Sequence, residues 1–397
     1  MKRFGLLTKI IAAIILGVAI GSFSNEWFIR LFATFNGLFG NFLSFIIPFI
    51  IIGFITPGIG EMGRGAGKLL SITTALAYAS TIIAGIIAFY IAKGLYPSIL
   101  AGGSIQSFND PTQGVASAFF DVEMPAPMEV MTALLIAFVI GIGIAAIKSD
   151  VLLNVFNDFR SIIELVIEKV IIPLLPFHIF GIFANMTYTG QVATILSVFA
   201  KVFVMIILLQ VLYLLFQYTV AGTFTKENPF SMLKKMTPAY FTALGTQSSA
   251  ASIPVTLKHT KTLNLRKSTA DFTIPLLATI HLSGSTITIM SCALAVIFLH
   301  GRTVTFASIL PFILMLGITM VAAPGVPGGA VMAAIGLLES MLAFDPTMVS
   351  LMIALYLAQD SFGTACNVTG DGAITAITDS IGKKFNINGK SNSEKIA

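Results

Sequence analysis

From Val304 to Met341 the sequence reads VTFASILPFILMLGITMVAAPGVPGGAVMAAIGLLESM, 38 residues with no basic side chain and one acidic one, Glu339. A membrane-crossing helix needs about 20 apolar residues, so this stretch is too long to cross once. Its middle, Ala323-Pro324-Gly325-Val326-Pro327-Gly328-Gly329, carries two prolines that remove amide donors and three glycines that allow unusual backbone angles. A helix must break there. The pattern predicts two half-helices of a hairpin that enters and leaves the bilayer by one side.

An earlier stretch, Met232–Leu257, has the same outline around Gly245-Thr246-Gln247-Ser248-Ser249-Ala250-Ala251-Ser252-Ile253-Pro254. Its hydroxyls and amide are costly in lipid unless they are buried in protein or face water. Each broken stretch precedes a long apolar run with a polar interruption. The first interruption is His281-Leu282-Ser283-Gly284-Ser285 and the second is Asn367-Val368-Thr369-Gly370-Asp371. Hairpin plus span, twice, outlines an inverted repeat, and interrupted segments at matching places in two halves point to a binding site near the bilayer midplane. Small polar residues in membrane helices also serve close packing, so one serine alone decides nothing.

Composition agrees with a membrane chain. Of 397 residues, 56% are hydrophobic and 10% charged, where a soluble domain carries about 25% charged. The mean hydropathy is +0.92. These values exclude a soluble enzyme, a disordered regulator and a nucleic-acid-binding domain; the +5 net charge comes from short basic clusters between apolar runs. The two cysteines, Cys292 and Cys366, lie in apolar runs and offer neither a disulfide framework nor a zinc spacing.

Further candidate runs are Leu7–Phe23, Gly37–Ile55, Leu69–Leu95, Met131–Ile147, Ile162–Met186, Thr194–Val220, Phe272–Leu299 and Val349–Ile377. Lys2 and Arg3 precede the first as in a signal peptide, but no small-residue cleavage site follows, so it reads as a span. With the N-terminus in the cytoplasm, Lys9, Arg64, Lys68, Lys148, Lys226, Lys258, Arg266, Lys267 and Lys383 are among seventeen cations that fall inside. Only Arg30, Lys93 and Arg302 fall outside, beside a loop 96–128 that carries Asp110, Asp121 and Glu123 and no cation. The positive-inside rule therefore predicts a multi-pass protein with both termini cytoplasmic.

Asp360 and Asp371 lie inside an apolar run. A carboxylate there costs roughly 2.5–3.5 kcal/mol or more, so it is functional by default. Asp360, Thr364, Asn367 and Asp371 follow one helix face at i, i+4, i+7 and i+11. That face offers oxygen ligands to a hard cation and a carboxylate with neighbouring acceptors to a primary ammonium. The alternative is a pair of protonated carboxyls bonding between helices. Asp379 reads as solvated, Asp271 as interfacial, and His178 and His300 as interfacial. His281 reads as a packing residue that also permits proton coupling. Glu164, Glu168 and Lys169 read as a helix end or a subunit contact.

Three ordered motifs carry a resemblance to a family. Ser248-Ser-Ala-Ala-Ser-Ile-Pro254, Gly325-Val-Pro-Gly-Gly329 and Asn367-Val-Thr-Gly-Asp371 are similar to the two hairpin tips and the Asn-x-Thr-Gly-Asp signature of the dicarboxylate/amino acid:cation symporters, the glutamate transporter family. The resemblance runs from about residue 7 to 383. It implies an all-α polytopic membrane protein with eight transmembrane helices, two re-entrant helical hairpins and inverted repeats, working as a homotrimeric elevator. A scaffold of about 1–60 and 129–190 would hold a transport part of about 66–96 and 194–383. Asp360 would hold a substrate ammonium. Asn367 and Thr364 would sit near the substrate, Ser248 and Ser249 would hold its carboxylate, and Val326 and Gly328 of the second hairpin tip, the external gate, would bind it too. Asn367 and Asp371 match one Na+ site; Ser80 and Thr81 lie near the hydroxyls of another.

Three departures refine what the resemblance implies. Acidic-substrate members carry an arginine where this chain has Gly363, and Gln247 does not supply the missing charge. A side-chain carboxylate would lack its bidentate partner, which favours a small neutral amino acid, as in the serine/threonine branch. The family's Asn-Met-Asp-Gly-Thr is here His281-Leu-Ser283-Gly-Ser285, so an anionic Na+ ligand has become Ser283. Fewer Na+ ions, or a proton on His281, would then be coupled. The expectation is a cell-membrane Na+ symporter of a serine/threonine/alanine-like substrate, with no cofactor beyond the coupling ion and no enzymatic activity. A proton-coupled or acid-transporting symporter, and a passive channel, are the alternatives.

Overall fold

The computed structural model describes residues 6–62, 68–100, 118–190, 192–321, 323 and 327–385. Pro324, Gly325, Val326, Asp110, Lys2, Arg3 and Arg64, named above, lie outside the described residues. Among the described residues every regular element is a helix. A chain this apolar must close its backbone hydrogen bonds within each segment. The helices are α1 (Leu6–Gly21), α2 (Glu26–Met62), α3 (Lys68–Leu100), α4 (Val130–Ile147), α5 (Asp150–Val166), α6 (Ile172–Tyr188), α7 (Val192–Thr225), α8 (Pro229–Thr246), α9 (Ser249–Thr260), α10 (Lys267–Ile280), α11 (Ser283–Leu299), α12 (Phe306–Val321), α13 (Gly329–Leu342), α14 (Pro346–Leu357) and α15 (Asp360–Lys384).

Among the described residues, five helical runs are long and apolar enough to cross a membrane: α2, α3, α5 through α6, α7, and α10 through α11; α14 with α15 is a sixth if that bent pair counts as one span. The 37 residues of α2 would measure about 55 Å at 1.5 Å per residue. That exceeds the hydrocarbon thickness and requires tilt. Ile15, Leu16, Leu135, Val139, Val204, Leu208 and Leu212 are exposed on the outer faces, as lipid-facing residues are.

α5 and α6 are joined by a π-helical turn, Ile167–Ile171, in which the Ile172 N–H reaches the Ile167 carbonyl. The turn immediately precedes Pro173, whose ring clashes with the carbonyl four residues back in a regular helix. Glu168 and Lys169 therefore lie in the π turn and Glu164 in the last turn of α5, all within one continuous helical run; Glu164 pairs with Arg160 at 3.1 Å.

Both broken stretches form helical pairs. α8 closes on Gln247, which takes a left-handed backbone (φ 55°) with its N–H on the Ala243 carbonyl. Ser248 is extended, and its hydroxyl caps α9 by accepting from the Ala251 N–H. In the second pair Gly328 (φ +76°) starts α13, a backbone angle that favours glycine. The first polar interruption falls as read: α10 ends at Ile280, α11 begins at Ser283, and His281 and Leu282 lie between. The second does not. α15 runs unbroken through Asn367–Asp371, and the break lies at Ala358–Gln359, where α14 and α15 meet with a 59° bend. Glycine at 370 alone does not stop a helix whose neighbours enclose it.

α11 and α15 are the innermost helices, with almost every residue buried. They cross at Gly284 and Gly363: a Cβ on Gly284 would collide with the Gly363 carbonyl oxygen and, at 2.5 Å, with the Cys366 Cβ. α3 packs on α11, α7 and α8 on α15, and α8 on α9; separately, α1 packs on α6, and α2 on α4, α5 and α6. Near the C-terminal end of α15 Asp379 is not solvated but buried. It accepts from Arg266 Nε (2.7 Å) and Thr269 Oγ1 (2.8 Å) and pairs with Lys383 (2.8 Å). Asp271 is half exposed and pairs with Lys261.

Overpacking a core costs about 1–3 kcal/mol. Gly284→Ala is therefore expected to lower the melting temperature of the detergent-purified protein by several degrees. Gly143→Ala on α4, where a Cβ meets nothing within 4 Å, leaves it unchanged or raises it. Equal melting temperatures for the two variants would contradict the close crossing.

Candidate functional site

The break between α10 and α11 exposes the first amides of α11, which no residue of its own caps. α15 supplies the cap. Asn367 Oδ1 accepts from the N–H groups of Gly284 (2.7 Å) and Ser285 (3.2 Å), and its Nδ2 donates to Ser285 Oγ (2.9 Å). Two orphan donors of a helix start are thus satisfied across a helix interface. On either side of this cap lie two polar groups of residues.

The first surrounds a cavity of about 20 Å³ lined by Gln247 and Ser249 from the α8–α9 tip, Ser285 from α11, Tyr356 from α14, and Asp360, Thr364 and Asn367 from α15. Such a volume holds about one water, so a larger guest requires the hairpin tips to part. Asp360 begins α15, where the helix dipole favours a carboxylate. Its Oδ2 accepts from the Gly328 N–H at 2.7 Å. The second hairpin therefore rests a backbone donor on the carboxylate that a substrate ammonium would occupy. Asp360 is the only charged side chain among the lining residues. Gly363 faces elsewhere: its Cβ position lies 3.4 Å from Thr288 Oγ1 and 3.5 Å from the Ser285 backbone. Ser248 is occupied with capping α9, and Ser249 reaches the cavity.

The second group centres on His281, which is 1% exposed. Its Nδ1 lies 2.8 Å from Asp371 Oδ1. With the ring proton on Nδ1, where the carboxylate accepts it, Nε2 is an acceptor facing Ser80 Oγ (3.0 Å) and Gln217 Nε2 (3.3 Å). Gln217 also donates to Ser80 Oγ (3.0 Å) and reaches Ser283 Oγ (3.4 Å). Tyr213 donates to the Ser80 carbonyl (2.6 Å). The structure thus brings Ser80, His281, Ser283 and Asp371 together. Thr81 spends its hydroxyl proton on the Ala77 carbonyl of its own helix. Asn367 turns toward α11, one helical turn from Asp371.

Sequence reading passed over α7. Gln210, Tyr213 and Gln217 lie at i, i+3 and i+7 on that apolar helix, one face, and all three are buried. Gln210 donates to Thr288 Oγ1 (2.9 Å). Two glutamines in the largely apolar stretch after Lys201 were the available signal, since an unpartnered amide in lipid is costly.

A larger cavity of about 410 Å³ lies away from both groups, between α2, α6 and α14. It contains His178, which is buried among neighbouring helices: Nε2 donates to Ser350 Oγ (3.1 Å), and the Asn36 amide, turned with its nitrogen inward, donates to Nδ1 (3.1 Å). Its one carboxylate, Asp121, is exposed and held by Asn41. That cavity has none of the convergent groups around Asp360. His300 is partly buried and bonds the Val296 carbonyl of its own helix.

Comparison with known proteins agrees with this geometry. Proteins named serine/threonine transporter SstT from Acinetobacter baumannii strains AYE and AB0057 are each 28% identical to this chain over 400 aligned positions, covering 95% of it and 97% of theirs. The family model described as sodium:dicarboxylate symporter matches residues 6–381. With its bent and broken helices meeting at Asp360 and Asp371, the chain belongs to the sodium:dicarboxylate symporter family and is a multi-pass membrane transporter, not an enzyme.

Proposed function

We propose that this protein is a secondary active symporter that carries a small neutral amino acid of the serine, threonine and alanine class into the cell with Na+. One observation carries the substrate class: among the described residues the cavity walls hold a single carboxylate, Asp360, and no cation. A carboxylate recognises the ammonium. The Ser249 hydroxyl, Thr364 and Asn367 serve the polar ends of the substrate, and Gln247 is the neutral group beside them. A second carboxylate on the substrate would meet Asp360 without an arginine to offset it. The names of the relatives support the same class.

The remaining assignments are proposals on the same footing. Asp371, Ser80, Ser283, His281, Asn367 and Thr81 form the oxygen- and nitrogen-bearing region for the coupling cation. Eight crossings and two hairpins would divide into a scaffold built on α1, α2, α4, α5 and α6 and a moving part built on α3 and α7 through α15, arranged as a trimer in the cell membrane with cytoplasmic termini. The tip at Gly328 would act as the outer gate. Cation and substrate bind on opposite sides of the Asn367 cap, so binding at one biases the other through α11 and α15. A second reading, proton coupling, is favoured by the contact of His281 with Asp371 at 2.8 Å.

Purified protein in liposomes tests both. Labelled serine or threonine should accumulate under an inward Na+ gradient, with aspartate inert. Aspartate uptake equal to serine uptake would sink the substrate assignment. Accumulation driven by protons alone, with a pH dependence altered in His281→Asn, would replace the first reading by the second.

Hydrogen bonds to a charged group contribute about 1.5–3 kcal/mol. Asp360→Asn should therefore weaken serine binding by about 10- to 100-fold, and leave the melting temperature near wild type because the amide oxygen still accepts from Gly328. Unchanged serine affinity in a folded Asp360→Asn protein would remove Asp360 from the site.

A further inference from the structure

We propose that Gln217 of α7 is a residue of the coupling-cation site and sets the affinity of that site for Na+. The inference rests on the Na+ reading above and adds to it a helix that the motifs do not reach.

Gln217 is 3% exposed and Asp371 is 1% exposed. Gln217 Nε2 is committed to Ser80 Oγ at 3.0 Å and faces His281 Nε2 and Ser283 Oγ at 3.3 and 3.4 Å. Its other end, Oε1, has no hydrogen-bond partner, and neither has Asp371 Oδ2. Both unmatched atoms are acceptors, so what the cluster lacks is positive charge or a donor. A buried acceptor without a partner costs about 1–3 kcal/mol, and two in one cluster are not explained by packing.

Packing also shows that the amide is specifically accommodated. A Cβ at Gly370 would lie 2.6 Å from Gln217 Oε1 and 3.0 Å from His281 Cε1. Glycine at 370 is therefore the opening through which the α7 carboxamide reaches the carboxylate-bearing face of α15. Asp371 is the only carboxylate in the cluster, and Ser80, Ser283 and His281 are neutral when the imidazole carries one proton. Hard monovalent cations take neutral amide oxygens alongside carboxylate. Gln217 supplies such an oxygen, and its nitrogen fixes the Ser80 hydroxyl on the far side.

The test uses full-length protein. The melting temperature is followed against NaCl, with choline chloride holding ionic strength, without amino acid. The Na+ dependence of serine uptake is measured in parallel. Gln217→Leu should raise the half-saturating Na+ concentration at least tenfold in both assays, while the KM for serine at saturating Na+ changes less than twofold. Gln217→Glu, which places a second anionic oxygen beside Asp371, should lower the half-saturating Na+ at least threefold. A purely structural glutamine would not yield a tighter site, and Gln217→Glu keeps the proposal testable if the leucine variant does not fold. Wild-type Na+ midpoints in either folded variant overturn the inference and leave the symport reading intact. A wild-type protein that responds to Na+ in neither assay overturns both.

Discussion

A helix that breaks inside a bilayer leaves amides that water cannot reach. Here the break at His281–Leu282 opens the first turn of α11, and Asn367 of α15 closes it by accepting from Gly284 and Ser285. That one side chain explains why the two innermost helices must lie so close. Gly284 admits the Gly363 carbonyl at the same crossing, which keeps Asn367 within reach. The cap also divides the polar interior, with Asp360 and the hairpin tips on one side and His281 and Asp371 on the other. Strain or movement at the cap is felt by both.

Among the described residues of the second hairpin tip, Gly328 sets a backbone donor on Asp360. Gly328 takes a positive φ that few residues tolerate, and this aims its N–H at Asp360. The same carboxylate oxygen is the natural partner of an ammonium. In the proposed cycle substrate and hairpin would share this acceptor, which would couple the gate to occupancy without any remote element.

Much of the architecture was legible because lipid makes polar residues conspicuous. The glycines and prolines of 323–329 and the hydroxyls of 245–252 marked both hairpins, and Asp360 and Asp371 stood out in an apolar run. The break before Asp360 was not legible. Ala358 and Gln359 carry no helix-breaking signature, whereas Gly370 suggested a break that surrounding helices suppress. Gln217 and Gln210 escaped because their partners are 64 to 137 positions away in sequence. Asp379 was misread as solvated for a related reason: its burial depends on Arg266 and Thr269, which only the folded chain brings near.

The central claim is that a cation region at Asp371 and an amino-acid region at Asp360 are coupled through the Asn367 cap. Calorimetric titration of the purified protein addresses it directly. Serine is titrated at low and saturating Na+, and Na+ at zero and saturating serine. The account predicts that each ligand strengthens the other by the same factor, as linkage requires. Serine binding of equal affinity at both Na+ concentrations would contradict it.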